Sequence, residues 1–139
     1  MLAPKQTKFR KWQTGRKHAS KLMHADTRGV AVSFGSWGLK AMTPGRVTSA
    51  QIEASRKTAA RLLGKTGRMW VRVFPDRPYT QKSAEVPMGS GKGDVAWYVV
   101  PVRPGRVLFE VDGLPEAVAK EALRKAGTKL PIKSKVVAR

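Results

Sequence analysis

Alternating apolar and polar positions predict β-strands near the middle and at the end of the chain. In residues 69–74, Met69, Val71 and Val73 fall on one face of a strand, and the residues between them fall on the other. Residues 130–136 alternate in the same way. This second pattern places Ile132, Ser134 and Val136 inward and Lys133 and Lys135 outward.

Other apolar runs predict further strands. Residues 30–34 predict a short strand, followed at residues 35–39 by a tight turn or bulge. Residues 95–102 and 107–111 are rich in β-forming residues, and residues 103–106 between them predict a hairpin loop. The aromatic residues of these runs are expected to fill the core or a sheet face: Trp97, Tyr98 and Phe109.

A first helix is predicted after Thr48. Thr48 and Gln51 form a capping-box pattern, and Gly64 or Gly67 supplies the C-terminal stop. Glu53 is the only acidic residue and is placed in the first turn. At 100° per residue, the side facing the core consists of Ile52, Ser55, Ala59, Leu62 and Leu63.

A second helix is predicted to begin at Pro115, in the first helical position, and to end at Gly127. Its apolar stripe consists of Val118, Ala119, Ala122, Leu123 and Ala126. Two helices among five or six strands predict an α+β fold, with both helices packed on a mixed or antiparallel sheet. We expect a basic N-terminal arm, residues 1–28, followed by a single α+β domain, residues 29–139.

Positive charge dominates the composition. The 139 residues include 28 Lys and Arg against 9 Asp and Glu, a formal net charge of +19. Such a domain repels itself unless a polyanion neutralises it, so nucleic acid and acidic membranes are the candidate partners. No apolar run approaches the roughly 20 residues that span a bilayer, and the N-terminus lacks the apolar segment of a secretory signal. The absence of cysteine excludes disulfides and thiolate metal sites and fits a reducing compartment.

The arm holds eight cationic residues and one acid, Asp26, and its apolar residues follow no pattern. We interpret it as an extended segment that becomes ordered on a partner; a solvated disordered tail and a cleaved mitochondrial transit peptide are the alternatives. Phe9 and Trp12 lie among the cations, where they can stack on exposed bases or anchor the arm to the core. The cations are Lys5, Lys8, Arg10, Lys11, Arg16, Lys17, Lys21 and Arg28.

The polar side of the first helix carries a cationic stripe. At successive turns it presents Lys57, Arg61, Lys65 and Arg68 without interleaved acids. This favours phosphate binding over an ordinary solvated face. The helix also lacks the tryptophan or phenylalanine that would anchor it at a membrane surface, so membrane binding is disfavoured.

A proline- and glycine-rich segment, residues 75–93, is predicted to protrude as a loop. Pro75-Asp76 and Pro78 end the strand before it, because proline cannot donate to a strand ladder. The loop ends in Gly89-Ser90-Gly91-Lys92-Gly93, whose backbone can approach a large anionic surface closely. A Walker motif would need glycine at Val86 and serine or threonine at Gly93, so this is not a nucleotide-binding loop of that kind.

Catalytic and metal-binding constellations are not evident. The two histidines, His18 and His24, lie in the basic arm with Asp26 as the nearest acid, a setting that favours neither a zinc site nor a Ser-His-Asp triad. The nine acids are scattered and do not form the carboxylate pair needed for acid–base chemistry. We therefore expect no enzyme activity, no metal and no cofactor.

Short motifs from residue 4 to about residue 135 together form a specific pattern. They are Pro4-Lys5, Lys8-Phe9-Arg10-Lys11, Val32-Ser33-Phe34-Gly35, Gly38-Leu39, Gln51-Ile52-Glu53-Ala54, Trp70-Val71-Arg72-Val73-Phe74-Pro75-Asp76, Met88-Gly89-Ser90-Gly91-Lys92-Gly93, Pro104-Gly105-Arg106-Val107-Leu108-Phe109-Glu110 and Lys129-Leu130-Pro131-Ile132-Lys133. This pattern resembles the bacterial family of large-subunit ribosomal protein number sixteen. The match at Pro4 indicates that the arm belongs to the mature protein.

The resemblance implies an α/β-hammerhead type of α+β fold that binds large-subunit rRNA below the central protuberance. It also implies that the glycine-rich loop is directed toward aminoacyl-site tRNA, with the peptidyl site as a further candidate, and that neighbouring large-subunit proteins are partners. The chain departs from the family at Pro87, where arginine is usual, and residues 18–26 are longer than the usual arm. What Pro87 does to the loop stays open.

Charge pattern and resemblance give the same candidate sites. A basic nucleoid-type DNA-binding protein and a small nucleotide-dependent enzyme are the alternatives, and a bacterial cytoplasm and an organelle both stay open as the compartment. The tRNA-proximal loop residues are Pro87, Met88, Gly89, Ser90, Gly91, Lys92 and Gly93. The rRNA-binding candidates are Lys5, Lys8, Phe9, Arg10, Lys11, Trp12, Arg16, Lys17, Lys21, Arg28, Arg46, Lys57, Arg61, Lys65, Arg68, Lys133 and Lys135.

Overall fold

The described chain consists of helices set among runs of consecutive strands. The computed structural model describes residues 2–14 and 18–139. The helices described are α1 (Ala19–Met23), α2 (Ser49–Leu63) and α3 (Glu116–Gly127). The strands are β1 (Trp37–Ala41), β2 (Gly45–Thr48), β3 (Arg68–Val71), β4 (Arg77–Gln81), β5 (Asp94–Val102), β6 (Val107–Asp112) and β7 (Ser134–Ala138).

The strands form two antiparallel sheets. Sheet 1 has the order β3-β6-β1-β7 and sheet 2 the order β2-β5-β4. Helices α2 and α3 pack on each other, and α3 also packs on β1, β6 and β7. The largest buried side chains of the common core include Phe109, Leu39, Ile52, Leu108 and Leu123. The α+β prediction is confirmed, with two sheets where one was expected and with the short helix α1 in addition.

The predicted hairpin at residues 103–106 is wrong. Strand β5 pairs with β2 and β4, whereas β6 pairs with β1 and β3, so the two strands have no free edges for each other. The turn is real, because Arg106 N–H donates to Arg103 O at 3.3 Å. Gly105 N–H donates to Ala41 O at 2.7 Å, and Ala41 N–H donates to Arg106 O at 2.8 Å. The turn therefore carries the chain from sheet 2 to sheet 1, fastened to the end of β1.

The predicted strand at residues 30–34 is also wrong, because the first strand of the described structure begins only at Trp37. The backbone N–H groups of Ser33, Phe34 and Gly35 donate to the carboxylate of Glu110 and are not available to a strand ladder. The predicted turn at residues 35–39 is correspondingly misplaced, since its second half is β1. A bulge-like irregularity was expected within residues 35–39. It occurs at the end of this range, as a register shift between residues 39 and 40 of β1.

Both long helices are confirmed. Thr48 caps α2 in a complete capping box with Gln51, and Gly64, at φ 61°, follows its last residue. Glu53 falls in the second turn of α2 and not in the first. In α3, Pro115 is the N-cap and helical geometry begins one residue later than predicted. The predicted apolar faces are buried at Ile52, Ser55, Ala59, Leu63, Ala119, Ala122, Leu123 and Ala126, with Leu62 and Val118 half-buried.

The two alternating patterns form strands with shifted bounds. Strand β3 ends at Val71, although Arg72 N–H still donates to Leu108 O at 2.9 Å. Strand β7 begins at Ser134, and the alternation around it is as predicted, with Ile132 buried and both lysines exposed. Among the aromatics, Phe109 is in the core, whereas Trp97 lies on a sheet face and is 43% exposed.

Candidate nucleic-acid interface

The described part of the arm presents its cations to solvent. Lys5, Lys8, Arg10, Lys21 and Arg28 are exposed, and Lys11 is half-buried. Residues 19–23 form helix α1, so this part of the arm is not extended as predicted. The aromatic candidates are also accessible, with Phe9 66% and Trp12 42% exposed. The two remaining arm candidates, Arg16 and Lys17, lie outside the described residues.

The end of the arm is fastened to the turn between the two sheets. Asp26 N–H donates to Pro104 O at 2.8 Å, and Arg106 Nη1 lies 3.4 Å from an Asp26 carboxylate oxygen. The same Arg106 nitrogen donates to Arg28 O at 3.4 Å. These contacts connect residues 26–28 to the domain, and the boundary at residue 28 stays a prediction.

The arm and the glycine-rich loop contact each other directly. Lys11 Nζ donates to Lys92 O at 3.1 Å, and Lys92 Nζ donates to Trp12 O and, at 3.2 Å, to Thr14 Oγ1. Asp94, at the base of the loop, forms ion pairs with Arg10 and Lys11, each at 3.5 Å. The ammonium group of Lys92 is thus directed toward the arm backbone. Arm and loop form one continuous surface.

The protruding loop is shorter than predicted. Strand β4 occupies residues 77–81, which leaves residues 82–93 as the protrusion. Pro78 did not prevent this strand because β4 is the edge strand of sheet 2, where a missing N–H is tolerated. In the loop, Met88 is 88% exposed. A Cβ on Gly89 or Gly91 would meet open space, so a close neighbour does not explain these glycines. Their φ angles of 107° and 97° do, because side chains rarely adopt this left-handed conformation.

The cationic stripe is only partly helical. Lys57 and Arg61 lie on α2, whereas Lys65 follows its C-cap and Arg68 is the first residue of β3. All four side chains are exposed. The acid of α2, Glu53, is engaged by Arg56, whose hydrogen bond lowers the pKa of Glu53.

The charges of Lys57 and Arg68 also help to lower the pKa values of Glu53 and Asp112, but without close contact. Within residues 2–14 and 18–139, none of the four cations forms an ion pair. Three further candidates are exposed: Lys135 on β7, Lys133 just before it, and Arg46 on β2. The cations thus cover the arm, the end of α2 and the edges of both sheets, which is the distribution expected of a surface that contacts many phosphates.

Sequence reasoning missed an arginine pocket on sheet 2. A cavity of about 320 Å³ lies beside α1 and is lined by Leu22, Pro44, Gly45, Arg46, Arg77, Pro101, Val102 and Arg103. Burial, reinforced by the nearby charge of Arg46, lowers the pKa of Arg77. The sequence did contain a sign of this strand, because Arg77 and Tyr79 alternate with other residues as on one face of a strand. The neighbouring prolines led instead to the prediction of a loop.

A second missed group is aromatic. The rings of Phe34 and Trp70 stack with centroids 6.2 Å apart, and the Arg72 guanidinium lies 5.0 Å from the centre of the Phe34 ring. Phe34 is 58% exposed. The wrong strand prediction for residues 30–34 hid this arrangement.

The described residues hold no group of three or more His, Cys, Asp or Glu side chains arranged for a metal ion. No helix in the described part of the chain is long and apolar enough to cross a membrane.

Known proteins similar to this chain belong to the family that its sequence motifs resemble. A family model described as ribosomal protein L16p/L10e matches residues 4–137. The large ribosomal subunit protein uL16 of Afipia carboxidovorans is 52% identical over 139 residues, covering 100% of this chain and 98% of that protein. The protein of the same name from Vibrio cholerae is 50% identical over 137 residues, covering 99% and 96%. The chain belongs to the ribosomal protein L16p/L10e family, whose members are structural proteins of the ribosome and not enzymes.

Proposed function

We propose that this protein is built into the large ribosomal subunit by binding its rRNA through the arm, the stripe at the end of α2 and the exposed cations of the two sheets. The observation that carries the proposal is the stripe of Lys57, Arg61, Lys65 and Arg68, which is exposed and without ion pairs in the described structure. Phosphates are the natural partners of such cations. They supply affinity, whereas RNA shape and exposed bases supply specificity.

The salt dependence of binding tests this proposal. Each phosphate neutralised by Lys or Arg releases counterions, so log K should fall steeply with log salt concentration. The measurement is a titration of a large-subunit rRNA transcript with the purified protein at several salt concentrations, with duplex DNA as competitor. A flat plot, or equal displacement by duplex DNA, would contradict the proposal. Equal displacement would support the nucleoid-type alternative.

We further propose that the loop of residues 82–93 approaches aminoacyl-site tRNA, and peptidyl-site tRNA where the two lie close. The resemblance to the family supports this. So do the high exposure of Met88 and the two unobstructed glycines, which let a backbone approach a large anion. Deletion of residues 90–92 should weaken aminoacyl-site tRNA binding by assembled ribosomes and leave rRNA affinity nearly unchanged. Loss of incorporation into the subunit would instead make the loop an assembly element.

Partners and compartment follow from the family. The relatives are bacterial large-subunit proteins, so we place this protein in cytoplasmic ribosomes, in contact with rRNA and neighbouring ribosomal proteins. Its role there is structural: it holds RNA in place near a functional centre and carries out no chemical step itself.

A further inference from the structure

We propose that the pocket formed by Arg46, Arg77 and Arg103 on sheet 2 holds one phosphate of an RNA strand, with the adjoining base against Trp97. The pocket has a volume of about 320 Å³, and its lining contains three arginines and no acidic residue. Arg46 and Arg103 are exposed at its rim, and Arg77 is buried, with 9% of its surface accessible. The proposal rests on the proposed rRNA binding and assigns it a site on the outer face of sheet 2.

The state of Arg77 points to an anion. Within residues 2–14 and 18–139, its side chain makes no hydrogen bond or ion pair, although its nitrogens keep slight contact with solvent, since Arg106 Nε is the buried side-chain nitrogen without a partner there. Burying a guanidinium without a partner is costly, and a second cation beside it adds repulsion. Both effects act here, because burial and the charge of Arg46 oppose the protonated form of Arg77. A phosphate in the pocket would satisfy the guanidinium donors and cancel the repulsion.

Trp97 provides the adjoining position for a base. Residues Arg77 and Tyr79 lie on the same face of β4, opposite Val99 and Trp97 of β5. The Tyr79 and Trp97 rings stack at a centroid distance of 5.1 Å with only 10° between their planes. The Arg46 guanidinium lies 5.8 Å from the centre of the Tyr79 ring. Pocket and aromatic pair thus share one surface.

The strand geometry gives these two parts a suitable spacing. Residues two apart on a strand are separated by about 7 Å, so one nucleotide can reach from the arginines to the rings. Exposed aromatic rings on a sheet stack readily on unpaired bases. The 43% exposure of Trp97 leaves ring surface for this contact. An RNA strand therefore fits the site better than a free inorganic anion, which would use the arginines and leave Trp97 without a role.

Two variants separate the phosphate contact from the base contact. The first is Arg46→Gln with Arg103→Gln, both exposed positions where folding should be unaffected. Affinity for a large-subunit rRNA transcript should fall about tenfold or more, and the slope of log K against log salt should decrease by about 1 in magnitude. The second is Trp97→Leu, which should also weaken binding about tenfold but leave the salt slope unchanged, because stacking releases no counterions.

Two control variants remove positive charge or an exposed aromatic ring from places outside the pocket. Lys120→Gln with Lys125→Gln removes two positive charges from α3, where each lysine is paired with a glutamate. Phe74→Leu removes a ring that is 46% exposed and lies outside the pocket. Both controls should keep the wild-type salt slope and bind within about twofold of wild type. Circular dichroism checks that every variant is folded.

The outcomes distinguish this site from rRNA binding in general. Failure of the wild type to bind the transcript with a steep salt dependence would overturn the proposed function itself. Wild-type binding with an unchanged slope in the double arginine variant would overturn the pocket alone. Thermal unfolding in inorganic phosphate, compared with chloride at equal ionic strength, tests whether the pocket binds a small anion and not RNA. Stabilisation by phosphate that requires the two arginines, without any effect on RNA binding, would mean a small-anion site and contradict the RNA proposal.

Discussion

Arg72 donates a hydrogen bond to the fully buried carboxylate of Glu110 in sheet 1. The same carboxylate accepts the backbone N–H groups of Ser33, at 3.1 and 3.2 Å, Phe34, at 2.6 Å, and Gly35, at 2.8 Å. One acidic side chain on β6 therefore holds both an irregular loop and an arginine that contacts the exposed Phe34 ring. The shape of the surface around Phe34 depends on this one carboxylate.

Glu110→Gln should destabilise the protein by about 3 kcal/mol, at the low end for breaking a buried charged pair. The amide keeps the size of the side chain but has one acceptor oxygen in place of two, and its NH₂ group faces other donors. The measurement is urea unfolding followed by circular dichroism. Glu121→Gln is the control, because Glu121 is exposed and paired with Lys125 on α3, and it should cost much less stability than Glu110→Gln. Equal effects of the two changes would contradict a special role for Glu110.

The stability difference between wild type and Glu110→Gln should depend on pH. Burial acts to raise the pKa of Glu110, but hydrogen bonds from Gly35, Ser33, Phe34 and Arg72 outweigh it and hold the pKa below the ordinary 4.5. A carboxyl whose pKa is lower in the folded state stabilises the protein fully above the unfolded pKa, and this contribution is lost as pH falls through the folded pKa. The difference should therefore be constant near neutral pH and shrink below about pH 4.5.

Unfolding curves of the two proteins from neutral to acid pH check this. The other acids with lowered pKa values, Glu53, Asp112 and Glu121, are present in both proteins, so their effects cancel in the difference. A difference that grew with acidification would mean that Glu110 is not held ionised by its partners.

The helices could be predicted from local sequence patterns. The pairing of strands distant in sequence could not. The capping box at Thr48 and the apolar stripes of α2 and α3 depend on residues three or four apart, so the sequence displays them directly. The hairpin prediction failed because the sequence does not show that other strands occupy both edges of β5 and β6. The strand prediction for residues 30–34 failed because Glu110, the partner of the Ser33 and Phe34 N–H groups, is 76–77 positions away.

The candidate site shows the same division. Exposed cations such as Lys57 and Lys133 could be identified by pattern, because a charged residue opposite an apolar stripe faces solvent. The direction of Lys92 could not, since its contacts with Trp12 and Thr14 join segments about 80 positions apart. Arg77 was missed because burial of a cation is set by the strands and helix around it.

Thr48→Ala should cost about 1 kcal/mol, because it removes the acceptor for the N–H of Gln51 and opens the capping box of α2. Thr58→Ala is a matched control on the same helix: its hydroxyl donates to Ala54 O, which already takes part in the helix. The control should change stability by less than about 0.5 kcal/mol. Urea unfolding measures both, and comparable losses would argue against the cap.

Gly35→Ala should displace the loop that Glu110 holds. A Cβ at this position would lie 2.5 Å from Val111 O, a backbone atom of β6 that cannot move aside without distorting sheet 1. We expect a loss of about 1–3 kcal/mol from overpacking. Gly64→Ala is a contrasting control, since its Cβ meets open space and only its φ of 61° is unfavourable. Hydrogen exchange should show loss of protection at Ser33 and Phe34 only in Gly35→Ala. Unchanged protection there would mean that the loop accommodates the methyl group.

Lys92→Gln should loosen the arm from the loop. The ammonium group of Lys92 donates to Trp12 O and Thr14 Oγ1 on the surface, contacts that together are worth about 0.5–1 kcal/mol when exposed. Because this energy holds residues 10–14 against the loop, cleavage by trypsin after Arg10 and Lys11, followed by mass spectrometry, should become about two- to fivefold faster in the variant. Lys82→Gln is the control: its ammonium group donates to Gly89 O within the loop and to no described residue of the arm. Equal cleavage rates in the wild type and Lys92→Gln would show that the contacts made by Arg10 and Lys11 are enough to hold the arm.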